Sequence, residues 1–274
     1  MTEIVNTFVF PIIRQDQILP ALASLREHTP PNYRTIVVNQ TVPNREFEEA
    51  LYDACDYIIR PHYNLGFAQA ANLGMRLAPT PYVTVSNDDI IFLEGWYEGI
   101  EWTFAKFPRA IAIGPMSPKE PGWGYNEPGY REHLTLEESQ VPANIQQQIE
   151  KWHGSVIDGL AMFLVVFKRK EWQEIGMFDE RFVPGGGEDY CALWRIYKRG
   201  WRALSTSYSW VYHHWGQSKD MKDGFDTALP LARPRWNKLS TKCDPDEGLY
   251  HPDCDIWAGK GTERTDPNVY RAPL

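Results

Sequence analysis

The sequence predicts an α/β fold with an open, mainly parallel twisted sheet and helices on both faces. Two observations predict it. In the first half of the chain, short β-branched apolar runs alternate with segments of helical spacing, which is typical of strands joined by crossover helices. The 274 residues are 43% hydrophobic and 23% charged, which supplies one sizeable core for a large domain or for a domain with an appendage.

The elements follow in order along the chain. Apolar or β-branched runs predict strands in the first half at 5–10, 35–38, 57–59 and 82–86. Helical spacing predicts helices between them, and proline pairs or single prolines end two of these, at 17–27, 46–54 and 67–77. Beyond residue 89 the pattern is less regular. It predicts strands at 111–114, 158–167, 201–205 and 210–213, with helices at 170–175 and 188–199.

Two long segments lack periodicity. Residues 117–148 are rich in Pro, Gly and polar side chains and carry Trp123 and Tyr125 among glycines, which is typical of a lid or binding loop. From residue 219 onward Pro, Asp and Lys dominate, and we expect an irregular extension over 219–274 that wraps the body or makes homo-oligomer contacts. Cys243, His251 and Cys254 match no standard zinc spacing there, so we interpret them as coincidence.

Composition narrows the class of protein. The net charge of −8 argues against a broad phosphate-tracking surface, although a local basic groove stays open. Eleven Trp and fourteen Tyr suit either sugar binding on flat aromatic faces or packing in cores and interfaces. Four scattered Cys make no disulfide framework. The first residues lack the basic region of a signal peptide, and the most apolar later stretch, 159–167, is too short to span a bilayer. We therefore expect a cytoplasmic protein.

Asn87, Asp88 and Asp89 directly follow a predicted strand, where open α/β sheets bind ligands. Two adjacent carboxylates are costly unless a positive group joins them, and a hard divalent cation is the simplest one. The alternative is a solvated turn. His213 and His214 end a later strand, and an imidazole there would complete a carboxylate site and favour Mn²⁺ over Mg²⁺. The alternative for the histidines is a structural pair.

Two further segments carry polar groups at helix starts. Gly186 and Gly187 precede Glu188 and Asp189, whose carboxylates could cap the helix or serve as a general base. Asn64, Gly66 and Asn72 lie at a strand-to-helix junction, where backbone N–H groups suit phosphate oxygens. The segment is not a P-loop, because the Gly-Lys-Ser/Thr element is absent from it.

Read in order, these segments resemble the family 2 glycosyltransferases of the GT-A type. The resemblance runs over about residues 5–218 and is carried by NLGFAQAANLG, VSNDD, AIGPM, IGMFDERF, GGEDYCALWRIYKRGW and HHWGQS. It implies a Rossmann-like GT-A domain over 1–218, with a nucleotide-sugar half at 1–116 and an acceptor half at 117–218. It also implies an inverting transfer from a UDP-linked or related nucleotide sugar to a hydroxyl, with Mn²⁺ or Mg²⁺.

The resemblance assigns roles to residues by position. Asp89 and His213 would hold the metal, and Asp189 would be the catalytic base, with Glu188 as the substitute. The donor would be bound by Pro11, Arg14, Asn39, Asn64, Gly66, Asn72, Asn87 and Asp88. Trp123 and Tyr125 would lie on the acceptor side. Asn39 departs from the family pattern, because many relatives carry Asp at the end of the second strand. This departure leaves the identity of the donor's nucleobase open.

Other functions stay open at this point. A nucleotidyltransferase-like enzyme shares the nucleotide and metal but needs no base across the sugar, and a non-catalytic nucleotide-sugar or glycan-binding module needs no base at all. The sequence carries Asp189 as a candidate base in addition to the candidate metal ligands Asp89 and His213, and this combination favours an enzyme. The acceptor could be a glycan, a lipid-linked sugar, a protein side chain or a modified nucleic-acid base, the last being disfavoured by the acidic charge.

Overall fold

The computed structural model describes residues 5–117, 154–182, 185, 188–214 and 269–271. The first half alternates strand and helix as expected, with β1 (Asn6–Ile12), α1 (Ile18–His28), β2 (Tyr33–Asn39), α2 (Arg45–Ala54), β3 (Tyr57–Ile59), α3 (Gly66–Leu77) and β4 (Tyr82–Ser86). β1 pairs in parallel with both β2 and β4, and β2 pairs in parallel with β3. The parallel half of the predicted sheet is confirmed.

Local sequence explains how two of these helices form and pack. α2 begins after Asn44, whose side chain accepts a hydrogen bond from the Phe47 N–H at 3.2 Å and so satisfies one of the first free amides. α3 is rich in small residues because it lies close against the sheet. A Cβ added at Gly74 would stand 2.4 Å from Val9 Cγ1, closer than packing allows.

The second half is more varied. It contains β5 (Ile90–Phe92), α4 (Trp96–Lys106), β6 (Ala110–Met116), β7 (Ser155–Asp158), β8 (Leu164–Lys168), α5 (Arg169–Glu174), α6 (Glu188–Lys198) and β9 (Arg202–His213). With a last short strand, β10 (Val269–Arg271), the strand order is β10-β7-β9-β6-β8-β4-β1-β2-β3, and β5 pairs with β9. β8 runs antiparallel to both β4 and β6, so the sheet is mixed.

Three sequence predictions need correction here. The predicted strand 158–167 overlaps β7 only at Asp158 and β8 at 164–167, because the chain turns between them at Gly159 (φ 115°) and 160–163. The two predicted strands 201–205 and 210–213 form one strand, β9, whose register against β6 shifts between Thr206 and Trp210. α4 and β5 were not predicted.

The extension also differs in part from expectation. Residues Val269–Arg271 form a strand, β10, that pairs antiparallel with β7 at the sheet edge. The rest of the predicted extension, with Cys243, His251 and Cys254, lies outside the described residues, as does most of the predicted loop with Trp123 and Tyr125. Within the described residues, no helix is long and apolar enough to cross a membrane.

Helices cover both faces of the sheet and divide its core in two. One apolar cluster joins the sheet to α1, α2 and α4, with Trp96 fully buried within it. The other joins the opposite face to α3, α5 and α6, with Trp172 fully buried. The pairings give β1, β2, β3, β4, β6 and β9 one common direction. Their carboxyl ends therefore share one edge, which is where open α/β sheets bind ligands.

Candidate active site

Asn87, Asp88 and Asp89 occupy the short connection between β4 and β5 at this edge. The Asn87 N–H donates to the Phe163 carbonyl at 2.7 Å, and the His214 N–H donates to the Asp89 carbonyl at 3.0 Å. β5 and β9 run antiparallel, with Ile90 opposite His213. This pairing brings the end of β9 beside the Asn-Asp-Asp segment.

The predicted partners Asp89 and His213 meet. Asp89 Oδ1 lies 3.2 Å from His213 Nε2, and both residues are buried, with 9% and 3% of their surfaces exposed. Asn87 Nδ2 lies 3.4 Å from the same His213 nitrogen. The imidazole stacks on the Phe163 ring at a centroid distance of 4.8 Å. Strand pairing and ring stacking together fix the orientation of the imidazole.

The two carboxyl groups of the segment have opposite pKa shifts. Burial, followed by the neighbouring Asp89 charge, raises the pKa of Asp88 to about 7. Burial also works to raise the pKa of Asp89, but the hydrogen bond and charge of His213 outweigh it and hold that pKa below its ordinary value. Asp89 is therefore the carboxylate that stays ionised, and a cation would relieve the repulsion between the two.

A divalent ion fits this pair. Two adjacent ligands at about 2.1 Å from one octahedral ion lie about 3 Å apart, close to the separation of Asp89 Oδ1 and His213 Nε2. No group of three or more His, Cys, Asp or Glu side chains converges within the described ranges. One or two protein ligands suffice where phosphate oxygens of a substrate complete the coordination, as Mg²⁺ sites often show.

The first loop after β1 reaches the same region. Pro11 lies within β1 opposite Val38, and Arg14 in the following loop pairs with Asp16 at 2.6 Å. The Arg14 charge works to lower the pKa of Asp88, and the Asp16 charge works to raise it. The loop therefore adds an ion pair, and with it the Arg14 guanidinium, to the predicted donor side. Asp16 was not among the predicted site residues. In the sequence, only its position two residues after Arg14 pointed to it.

Asn39 ends β2 at the same edge and is fully buried. Its Oδ1 accepts a hydrogen bond from the Thr41 N–H at 3.0 Å, which fixes the orientation of the amide. Its Nδ2 is buried and has no hydrogen-bond partner among the described residues. An unsatisfied buried donor costs about 1–3 kcal/mol, so a ligand that offers an acceptor here would gain from it.

The start of α3 holds Asn64 and Gly66, but its amides are partly engaged. The Gly66 N–H donates to Asn64 Oδ1 at 2.8 Å, and the Leu65 N–H donates to Gln40 Oε1 at 2.7 Å. Asn72 is placed differently, in the middle of α3, where it is fully buried and hydrogen-bonded to residues 178–180. The predicted donor contacts of Asn64, Gly66 and Asn72 stay predictions.

Glu188 and Asp189 begin α6. Glu188 is buried and Asp189 is half-buried. A Cβ added at Gly185 would lie 3.5 Å from Phe67 Cβ and 3.8 Å from Glu188 Oε1, so Glu188 lies close to the start of α3. The choice of Asp189 as the base stays a prediction. Gly186 and Gly187 lie outside the described residues.

Two residues that support the site gave no signal in the sequence. Phe163 stacks on His213, and Ser117 Oγ accepts a hydrogen bond from the His213 N–H at 3.3 Å. Neither belongs to a polar cluster or a periodic pattern. Only the turn between β7 and β8 and the end of β6 bring them to this edge.

The sheet order and the polar cluster at its carboxyl edge define an open α/β protein with a ligand site where the strands end. The chain belongs to glycosyl transferase family 2, because the profile of that family matches residues 11–169, more than half of the sequence. This confirms the resemblance seen in the sequence motifs. No curated protein matches the sequence.

Solved structures share the GT-A fold. GalNAc-T7 with UDP, GalNAc and Mn²⁺ has a TM-score of 0.60 and 15% identity, with 91% of this chain and 55% of that chain covered. The mannosyltransferase PcManGT from Pyrobaculum calidifontis, in complex with GDP-Man and Mn²⁺, has a TM-score of 0.57 and 15% identity, with coverage of 88% and 66%. S. aureus TarS 1-349 has a TM-score of 0.55 and 12% identity, with coverage of 86% and 79%. This chain thus spans between half and two thirds of the length of the first two.

Proposed function

We propose that this chain is a metal-assisted, inverting glycosyltransferase that uses a UDP-linked sugar and an acceptor hydroxyl. The observation that carries the proposal is the buried Asp89–His213 pair at the carboxyl edge of the sheet. A separate carboxylate pair, Glu188 and Asp189, begins α6. Family membership supports glycosyl transfer, and two structural neighbours were solved with nucleotides and Mn²⁺.

The departing nucleoside diphosphate needs its developing charge neutralised. Mn²⁺ or Mg²⁺ held by Asp89 and His213 would supply that Lewis-acid stabilisation. Asp89 suits the role because a carboxylate oxygen is a ligand that such hard divalent ions prefer. Asn87 lies against His213 and would keep the ring in place, while Asp88 would face the ribose or the donor sugar. Arg14 would add a positive charge on the donor side.

The acceptor hydroxyl must lose a proton as it attacks. Asp189 would accept this proton at a carboxylate oxygen on the sugar face opposite the leaving group. The acceptor oxygen would bond to the anomeric carbon from that face as the bond to the diphosphate oxygen breaks on the other, which inverts the anomeric centre. Glu188 is buried near the start of α3, so the half-buried Asp189 is the better placed of the two to meet an acceptor from solvent.

The nucleobase of the nucleotide-sugar donor would contact Asn39. Its oxygen is engaged by the Thr41 N–H, so the group left for a ligand is the Nδ2 donor. Uracil offers carbonyl acceptors to this donor, as thymine and guanine also do, so the donor screen below distinguishes between the three bases.

A donor screen tests the proposal. UDP-, GDP- and dTDP-sugars are incubated with the protein, with Mn²⁺, with Mg²⁺ or with excess chelator, and the released nucleoside diphosphate is measured. We expect release from UDP-sugars that stops with chelator and returns with either ion. Full activity in excess chelator would remove the metal from the mechanism. Binding of UDP without any release, with glycan, lipid-linked and other hydroxyl acceptors supplied, would instead indicate a non-catalytic binding module.

A further inference from the structure

The segment 175–180 connects the two sides of the candidate site. It lies between α5 and α6 and turns sharply, with Gly176 at φ 87° and Met177 at φ 58°. A non-glycine residue in the left-handed region is uncommon and is kept only where surrounding contacts enforce it. The contacts that enforce this turn come from α3 on one side and from α6 on the other.

From α3, the fully buried Asn72 binds the peptide groups of Phe178 in both directions. Its Nδ2 donates to the Phe178 carbonyl at 2.8 Å, and its Oδ1 accepts from the Phe178 N–H at 3.1 Å. The same Nδ2 lies 3.0 Å from Glu180 Oε1. Donor and acceptor of the amide are therefore both engaged by the segment.

From α6, Arg195 binds the same turn. Its Nη1 donates to the Ile175 carbonyl at 2.6 Å, and its Nη2 donates to the Met177 carbonyl. A Cβ added at Gly176 would lie 3.1 Å from Arg195 Nη1, so glycine suits both the close approach and the backbone angle. Arg195 lies two helical turns after Glu188, on the helix that begins with the candidate base.

We propose that Asn72 and Arg195 are positioning residues that hold α6, whose first turn carries Asp189, at a fixed distance from the donor-side helix α3. The proposal rests on the proposed function, because it concerns the base of that reaction. It assigns Asn72 to the transfer step and not to nucleotide binding. A small displacement of a base costs turnover steeply but leaves the donor contacts in place.

The test compares Asn72→Ala and Arg195→Lys with a matched control, Thr103→Val. Thr103 is also fully buried and hydrogen-bonded, to the Gly99 carbonyl at 2.7 Å and to Thr206 Oγ1 at 2.9 Å, but it lies on α4 against the opposite face of the sheet. The measurements are the UDP dissociation constant with Mn²⁺, kcat for UDP release from the best UDP-sugar of the screen, and the melting temperature.

We expect kcat to fall about 10- to 100-fold in both site variants, with the UDP dissociation constant within about threefold of wild type. Thr103→Val should lower the melting temperature alone. Because both residues act on one turn, the double variant should lose about as much turnover as the worse single variant. If Asn72→Ala does not fold, the test is made with Arg195→Lys. This variant keeps the positive charge but loses the two hydrogen bonds to the Ile175 and Met177 carbonyls.

Two results would overturn the inference. A UDP dissociation constant raised tenfold at unchanged kcat would make Asn72 a nucleotide contact. A lowered melting temperature at unchanged kcat would make the network structural only. In both of these outcomes the wild-type protein is active. A wild-type protein that binds and cleaves none of the donors would instead overturn the proposed function itself.

Discussion

The two halves of this sheet build the candidate site in different ways. In the parallel half, the predicted donor-side residues lie at the ends of their own strands, with Asn39 as the last residue of β2 and Asn87 directly after β4. In the mixed half, the partners come from distant segments, as when β5–β9 pairing places His213 at Asp89 and the turn after α5 joins α3 to α6. The comparison teaches that local sequence places the predicted donor residues of the first half, whereas the Asp89–His213 pair and the position of α6 depend on long-range packing. Changes in the two halves should therefore have different kinetic consequences.

The largest expected effect lies in the mixed half. Asp189→Asn keeps the size of the side chain but removes its ability to accept a proton, so kcat should fall by roughly 10²–10⁴ while UDP affinity stays near wild type. Steady-state kinetics and UDP titration check this. Glu188→Gln is the control for the neighbouring carboxylate and should lose less. Wild-type turnover in Asp189→Asn with a large loss in Glu188→Gln would move the base by one residue.

The next effect lies where the halves meet. Asp89→Ala should abolish the stabilisation that UDP and Mn²⁺ give together, which amounts to about 2.7 kcal/mol for wild type at a ligand concentration 100 times the dissociation constant. Thermal unfolding with and without UDP and Mn²⁺ measures it. Asp53→Ala, which removes an exposed carboxylate from α2, should keep the full shift. An unchanged shift in Asp89→Ala would break the link between the Asp89–His213 pair and the metal.

The smallest effect lies in the parallel half. Asn39→Asp keeps an oxygen for the Thr41 N–H but replaces the buried Nδ2 donor by an acceptor, so UDP affinity should fall about tenfold. Titrations with UDP, GDP and dTDP measure the change in preference. Thr41→Val, in the same loop, leaves the Asn39 contact to the Thr41 backbone in place and should bind UDP as wild type does. Tighter UDP binding by Asn39→Asp would mean that the base presents a donor to this position.

Some features of the candidate site could be predicted from the sequence, and others could not. Asp89 and His213 were predicted as metal ligands because two adjacent carboxylates at a strand end favour a cation and because the family resemblance assigns both residues to the metal, and the structure places them together. The role of Asn72 could not be read in this way. Its amide gives the same sequence signal whether it binds a phosphate or the backbone of Phe178, and only the packing of the 175–180 turn against α3 distinguishes them.

The sequence by itself determined the alternating strands and helices of the first half, the edge at which the polar groups gather and the family. The elements and the edge follow from local periodicity and from the common direction of parallel strands, which need no distant contact to be specified, whereas the family was indicated by the ordered motifs. Only the tertiary structure decided the turn that separates β7 from β8, the continuity of β9, and the contacts of Asn72 and of Arg195 with the 175–180 turn. Each of these depends on contacts between segments far apart in the chain, and residues joined in this way leave no periodic trace in the sequence.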